Sequence, residues 1–266
     1  MQTELLLSLS TLAALAPVAL LTLRPGAHRD AAFWSLLAVA LAASVLRADL
    51  ALAPEWHTSL SGALWITMAT SIALFAIIAA ATRDAWRLTP LLMPYLILLG
   101  AVATFWQQAP ERPLVPAPAV WLDLHILVSV ATYGLLTIAA IAGFAVLIQE
   151  RSLKNKRRGR INQLLPSIAL CETLQVRLLA ASEIILAIGV STGMATQYFV
   201  SGRILAFDHK TLLSLLTFVV IGALLILLRG RSGLGGRRAA HFVLLAYLLL
   251  TLAYPGVKFV TDVLLA

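Results

Sequence analysis

The chain has 266 residues, of which 61% are hydrophobic and 12% charged, with a formal net charge of +8. Soluble domains carry about 45–50% apolar and about 25% charged residues, so this composition excludes a soluble globular fold and a disordered chain. A single cysteine excludes a disulfide scaffold, and long apolar runs in place of alternating ten-residue segments exclude a membrane β-barrel.

Apolar runs fall at 4–23, 31–52, 60–82, 89–107, 120–149, 176–200, 211–228 and 240–261. Each approaches the roughly 20 apolar residues that a spanning helix needs. The expected fold is all-α: one integral membrane domain over 1–266, a polytopic bundle of eight transmembrane helices. The second run is the weakest, because Arg47 and Asp49 sit near its end, and the fifth is the strongest. The first run reads as a span and not as a cleaved signal peptide, since Met1–Glu4 carries no positive charge.

Orientation follows from Lys and Arg near the spans. Fifteen of the twenty lie on one set of loops: Arg24, Arg29, Arg83, Arg87, the basic run 151–160, Arg177, and four between Arg229 and Arg238. The other five are Arg47, Arg112, Arg203, Lys210 and Lys258. This predicts both termini on the external, periplasmic side of a bacterial inner (plasma) membrane crossed many times. The net charge then records topology and not nucleic-acid binding. The stretch 150–176 becomes a basic cytoplasmic loop, where each cation near the surface adds about 1 kcal/mol of attraction to anionic lipid. Docking of another membrane protein is the alternative use of that loop. Within it, 161–175 has the pattern of a short interfacial helix, and Cys171 has no disulfide partner.

Chemistry is sparse, so each histidine can be weighed singly. His28 and His241 fall on the cytoplasmic side, whereas His57, His125 and His209 fall outside. Three external imidazoles could ligate a metal or a haem iron, although histidine also sits at membrane interfaces without a ligand. His125, Ser129 and Tyr133 are spaced i, i+4, i+8 and line one face of the fifth helix. Ordinary interhelical hydrogen bonding is one reading of them; an imidazole oriented by neighbouring polar groups, as ligand histidines require, is the other. Asp208 is placed to cap the seventh helix, and Lys210 sets a positive charge beside His209. Haem carries two carboxylates, so Lys210, Arg203 and Lys258 are candidate partners for them, with snorkelling to the interface the alternative for Lys258.

Glu183 is the acid well inside a span, which marks a functional hypothesis such as a small-solute or ion pathway. Pairing with Ser182, Gln175 or an arginine of the rim is the plainer expectation. Trp56, Trp106 and Trp121 mark one interface, Trp34 and Trp86 the other. Walker loops, dinucleotide fingerprints, H-E-x-x-H, C-x-x-C and Ser-His-Asp sets are all missing from the sequence, so an enzyme has no positive support.

The run Leu122-Asp-Leu-His125-Ile-Leu-Val-Ser129-Val-Ala-Thr-Tyr133-Gly, ending in Gln149-Glu-Arg-Ser-Leu-Lys154, resembles the cytochrome c assembly protein family. So do Glu172-Thr-Leu-Gln-Val-Arg177 leading to Gly189-Val-Ser-Thr-Gly193, Asp208-His209-Lys210-Thr211, Gly235-Gly-Arg-Arg238 and Tyr254-Pro-Gly256-Val-Lys258. The likeness covers about 120–266 and is greatest to the small eight-helix branch of YpjD- and HemX-like inner membrane proteins. It implies a non-enzymatic, haem-handling membrane protein of cytochrome c assembly, with cytochrome c maturation proteins as partners. It also implies a b-type haem with His125 and His209 as axial ligands. Larger members, of the CcsA and CcmC types, present haem with a Trp-rich external segment between two histidines. Here 199–209 holds no tryptophan, and only Phe207-Asp208 remains of that segment. The alternative is therefore an accessory or regulatory subunit of the same fold that binds no haem.

Overall fold

The computed structural model describes residues 2–24, 26–52, 57–107, 112–113, 119–156, 159–203, 209–229 and 236–260. The chain forms α1 (Gln2–Thr22), α2 (Ala31–Leu52), α3 (Leu60–Ala81) and α4 (Thr89–Phe105). There follow α5 (Ala119–Lys154), α6 (Arg160–Leu164), α7 (Ile168–Ser201), α8 (His209–Arg229), α9 (Gly236–Thr251) and α10 (Val257–Phe259). A 3-10 turn, Ala85–Leu88, leads into α4, and a π turn, Leu252–Gly256, joins α9 to α10. Two-residue strands, β1 (His57–Thr58) and β2 (Arg112–Pro113), pair antiparallel, with His57 opposite Pro113.

Local chemistry sets these limits. Asp30 Oδ1 accepts from the Phe33 amide at 3.0 Å and starts α2. Ser59 Oγ does the same for Gly62 at 2.9 Å in α3. Among the described residues, seven helices are long and apolar enough to cross a membrane. The eighth expected run differs: the α-helix ends at Thr251 after 16 residues, and the backbone continues as the π turn with Pro255 inside it. Proline has no N–H to give to the ladder, which is why the regular helix breaks at Tyr254-Pro255-Gly256.

The expected interfacial helix is also corrected. It is reduced to the five residues of α6. Leu165 is extended ahead of Pro166, as proline demands of its predecessor. Ser167 then caps α7, its Oγ accepting from Leu170 N at 3.3 Å. Residues 168–175 are the first two turns of α7, because Cys171, Leu174 and Gln175 turn inward and are buried. The basic loop shrinks accordingly, since 150–154 belong to α5 and 168–176 to α7.

The helices form two sets of four. In the first, α1 packs on α2 and α4, and α3 on α2 and α4. In the second, α5 packs on α7 and α9, and α8 on both of those. The sets meet along α3 and α5. α5 is the central rod: 78% of its apolar window is buried, against 17% for α8. Helices in lipid associate by close packing, not by hydrophobic exclusion, so small residues mark their contacts. Gly134 shows this: a methyl there would stand 2.7 Å from Leu74 Cδ1 of α3. A hydroxyl link crosses between the sets, where Tyr95 of α4 meets Tyr247 of α9. Thr137 of α5 adds a third hydroxyl, 3.4 Å from that of Tyr247.

Candidate functional site

Up-and-down alternation brings the start of α5, the end of α7, the start of α8 and the end of α10 to one end of the bundle. The same end holds the β1–β2 ladder and the Trp106–Phe259 edge contact, with centroids 5.1 Å apart. His125 lies there, half-buried, one and a half turns into α5. Its ring packs against α7. Nδ1 is 3.1 Å from the Gly189 carbonyl and 3.3 Å from Thr192 Oγ1. A carbonyl oxygen only accepts, so the contact with Gly189 places the ring proton on Nδ1. Nε2 then carries the lone pair. Thr192 Oγ1 donates to the same carbonyl at 3.0 Å, and together they hold the ring in one orientation.

The approach depends on Gly193. A methyl there would stand 3.0 Å from His125 Cε1, whereas one on Gly189 would make an ordinary 3.4 Å contact with Val128 Cγ1. Gly193 thus opens on α7 the shallow face that the imidazole occupies.

The other sequence candidates are placed as follows. His209 and Lys210 are the first two residues of α8, at the same end as His125, and their side chains lie outside the described residues. Asp208 and the side chain of His57 also lie outside them. Arg203 is exposed just past Gly202, which ends α7 in a left-handed conformation (φ 68°). Lys258 is only 6% exposed, so it does not snorkel out of the bundle.

Tyr133 does not share the neighbour of His125. At 100° per residue, eight residues turn the helix about 80° past its starting face. Tyr133 therefore reaches α9, where its hydroxyl donates to the Leu250 carbonyl, whereas His125 reaches α7. Ser129 is half-buried between the two directions. Glu183 is likewise corrected. Among the described residues it pairs with neither Ser182, whose hydroxyl donates to the Leu179 carbonyl at 2.9 Å, nor Gln175, nor an arginine. Its Oε2 is buried without a hydrogen-bond partner, and Oε1 is 3.1 Å from where a methyl on Gly222 of α8 would be.

The groups that hold His125, namely Gly189, Thr192 and Gly193, are not candidates in the sequence reading. Their signal is the glycine pair spaced by four in a span.

A helical bundle with seven helices able to cross a membrane and an oriented imidazole at one end makes this a multi-pass membrane protein. The family model described as "Cytochrome C assembly protein" matches residues 31–265, and the chain belongs to that family. The match extends the likeness of 120–266 back through α2, α3 and α4. An uncharacterized 28.8 kDa protein in the nifR3-like 5′ region of Azospirillum brasilense is 55% identical over 89% of this chain and 88% of its own. Inner membrane protein YpjD of Escherichia coli K12 is 26% identical over 70% of this chain and 69% of its own. Cytochrome c biogenesis protein CcsA of Chlamydomonas reinhardtii is 28% identical over 65% of this chain but only 48% of its own length. No solved structure matches the chain.

Proposed function

We propose that this protein binds and hands on haem in cytochrome c assembly, from the periplasmic face of a bacterial inner membrane. In this reading α9, the π turn and α10 complete an eighth span, both termini are periplasmic, and His125 faces outward. The observation that carries it is the hydrogen bond between His125 Nδ1 and the Gly189 carbonyl, 3.1 Å long. Ligand histidines donate their second ring nitrogen to a fixed acceptor, which sets the tautomer and raises the basicity of the other nitrogen. His125 meets that requirement, so the donor set fits a haem iron. Family membership supports the same chemistry, as do the names of the CcsA relatives.

A b-type haem would supply a reducible iron. His125, through Nε2, and His209, at the start of α8, would hold it. Lys210, Arg203 and Lys258 are the cations available for the propionates. Ser129 and Tyr133 serve α5 packing beside the site. The protein breaks and forms no covalent bond in this role, and its partners are cytochrome c maturation proteins. The test is the visible spectrum of the protein purified from haem-replete cells. A Soret band lost in both His125→Ala and His209→Ala is expected; a band unchanged in both overturns the proposal.

The second reading, a haem-free accessory subunit that docks its partner on the basic loop 151–160, draws on the tryptophan-free segment 199–209. It predicts no Soret band, and loss of a co-purifying partner when that run is neutralised.

A further inference from the structure

A separate polar cluster lies in the α1–α4 set, in which the His125 site has no part. Arg47, near the end of α2, is only 4% exposed. Its Nε donates to Ser8 Oγ of α1 at 3.0 Å, and its Nη2 is 3.3 Å from Glu4 Oε2 on the first turn of α1. Ser8 in turn donates to Gln107 Oε1, past the end of α4, at 3.4 Å. The guanidinium lies over the indole of Trp65 on α3, its carbon 5.3 Å from the ring centroid.

Side chains of α1 and α3 thus converge on one cation of α2, with Gln107 attached through Ser8, and its coordination is incomplete. A guanidinium has five N–H donors and no acceptor. Nη1 of Arg47 is buried and reaches no hydrogen-bond partner among the described residues; the same holds for Nε1 of the stacked, fully buried Trp65. Both groups can only donate. The counter-ion Glu4 is 50% exposed and meets Nη2 alone. Buried charge needs excellent geometry and satisfied donors to offset its desolvation, and ionisable residues at membrane depth mark functional positions. A planar guanidinium with donors to spare selects carboxylate or phosphate oxygens over other acceptors.

We propose that Arg47 and Trp65 form a binding site for an anionic oxygen, phosphate or carboxylate, with Glu4 as a competing anion at its rim. The oxygen has two sources: the headgroup of an anionic lipid, or a soluble anion. The site is independent of haem at His125. A purely structural role for the cluster makes the opposite prediction about Glu4, because an ion pair that only ties α1 to α2 weakens when its acid is removed. For a ligand site, removing the competitor tightens binding.

The experiment uses the full chain in detergent with short-chain phosphatidylglycerol, with phosphatidylcholine of equal chain length as control, and reads bound lipid by native mass spectrometry. Phosphatidylglycerol is expected to bind at least tenfold tighter than phosphatidylcholine. Trp65→Phe, which keeps the packed ring and removes the N–H, weakens that binding at least threefold, and Arg47→Lys weakens it further. Glu4→Gln tightens it severalfold. Sodium phosphate that displaces the lipid at millimolar concentration, or binds where the lipid does not, assigns the site to soluble anions; lipid binding indifferent to phosphate assigns it to the headgroup. Three results overturn the proposal: neither phosphatidylglycerol nor phosphate binding better than phosphatidylcholine, affinity unchanged in Trp65→Phe, or affinity lowered by Glu4→Gln.

Discussion

His125 on α5 and Gly189 on α7 are 64 positions apart in the chain, and the ring Nδ1 of one lies 3.1 Å from the carbonyl oxygen of the other. A carbonyl in mid-helix is already engaged with its own ladder, and Thr192 Oγ1 donates to this one as well, so the imidazole shares the oxygen with both. The imidazole is thereby tied to the backbone of a neighbouring span, and Nε2 is left as its only acceptor.

That arrangement makes Gly193 a positioning residue. Gly193→Ala sets a methyl 3.0 Å from Cε1 and is expected to turn the ring away from Gly189 while leaving the imidazole itself in place. The haem content of the purified protein is expected to fall about 10- to 100-fold, the range measured when groups that orient metal ligands are lost. Thr192→Val keeps the volume and the Gly189 acceptor, so its loss belongs at the lower end, about tenfold. Absorbance at the Soret maximum per protein, at equal membrane insertion, checks both.

The link between Tyr95 and Tyr247 joins the two four-helix sets through their hydroxyls. A double-mutant cycle on Tyr95→Phe and Tyr247→Phe, read by thermal unfolding in detergent, is expected to show coupling of about 0.5–1.5 kcal/mol. Thr137, 3.4 Å from the Tyr247 hydroxyl, is a weak substitute partner. Coupling near zero would mean that the hydroxyl link adds nothing to the packing that joins the sets, chiefly that of α3 on α5.

Arg87 closes the opposite end of the bundle. Its Nε donates to the Leu164 carbonyl at 3.1 Å, and its Nη2 to that of Gln163, so it satisfies the free carbonyls at the end of α6. Arg87→Ala is expected to change global stability by about 1 kcal/mol, because the pair is part-exposed. It should still release α6 and speed tryptic cleavage between Arg151 and Arg160 severalfold. Unchanged cleavage would mean that α6 is held by other contacts.

Most span limits can be read from the sequence, because burial in lipid demands an unbroken apolar run. The expected 31–52 matches α2 despite Arg47, whose charge is taken up by Ser8, Glu4 and Trp65 inside the bundle. The two departures have local causes. Glu172 and Arg177 lower the hydropathy of 168–177, although Cys171, Leu174 and Gln175 bury the inner face of the same turns. At the other end Pro255 interrupts an otherwise apolar run. The site was legible only in part. His125 stands out by type and position, whereas its acceptor is a backbone carbonyl, which carries no sequence signature at all. Arg47 was readable as a charge but not as a centre, since the groups around it come from α1, α3 and the turn after α4.

Topology is checked by fusing alkaline phosphatase or a fluorescent protein after Ala266 and within the 151–160 run. The charge bias of fifteen against five predicts an active phosphatase at the C-terminus and a fluorescent protein in the basic loop. A fluorescent C-terminal fusion would mean that the α9 run does not span: the C-terminus would then be cytoplasmic, with His209 at the start of α8 still on the outer side.

The most direct test of haem ligation by His125 is cavity rescue. In His125→Gly the imidazole is deleted, and the protein is titrated with free imidazole while the Soret and visible bands are followed. The account predicts a six-coordinate low-spin spectrum for the wild-type protein, its loss in the variant, and its return on adding imidazole. A wild-type spectrum that persists in His125→Gly, unaltered by imidazole, would contradict it.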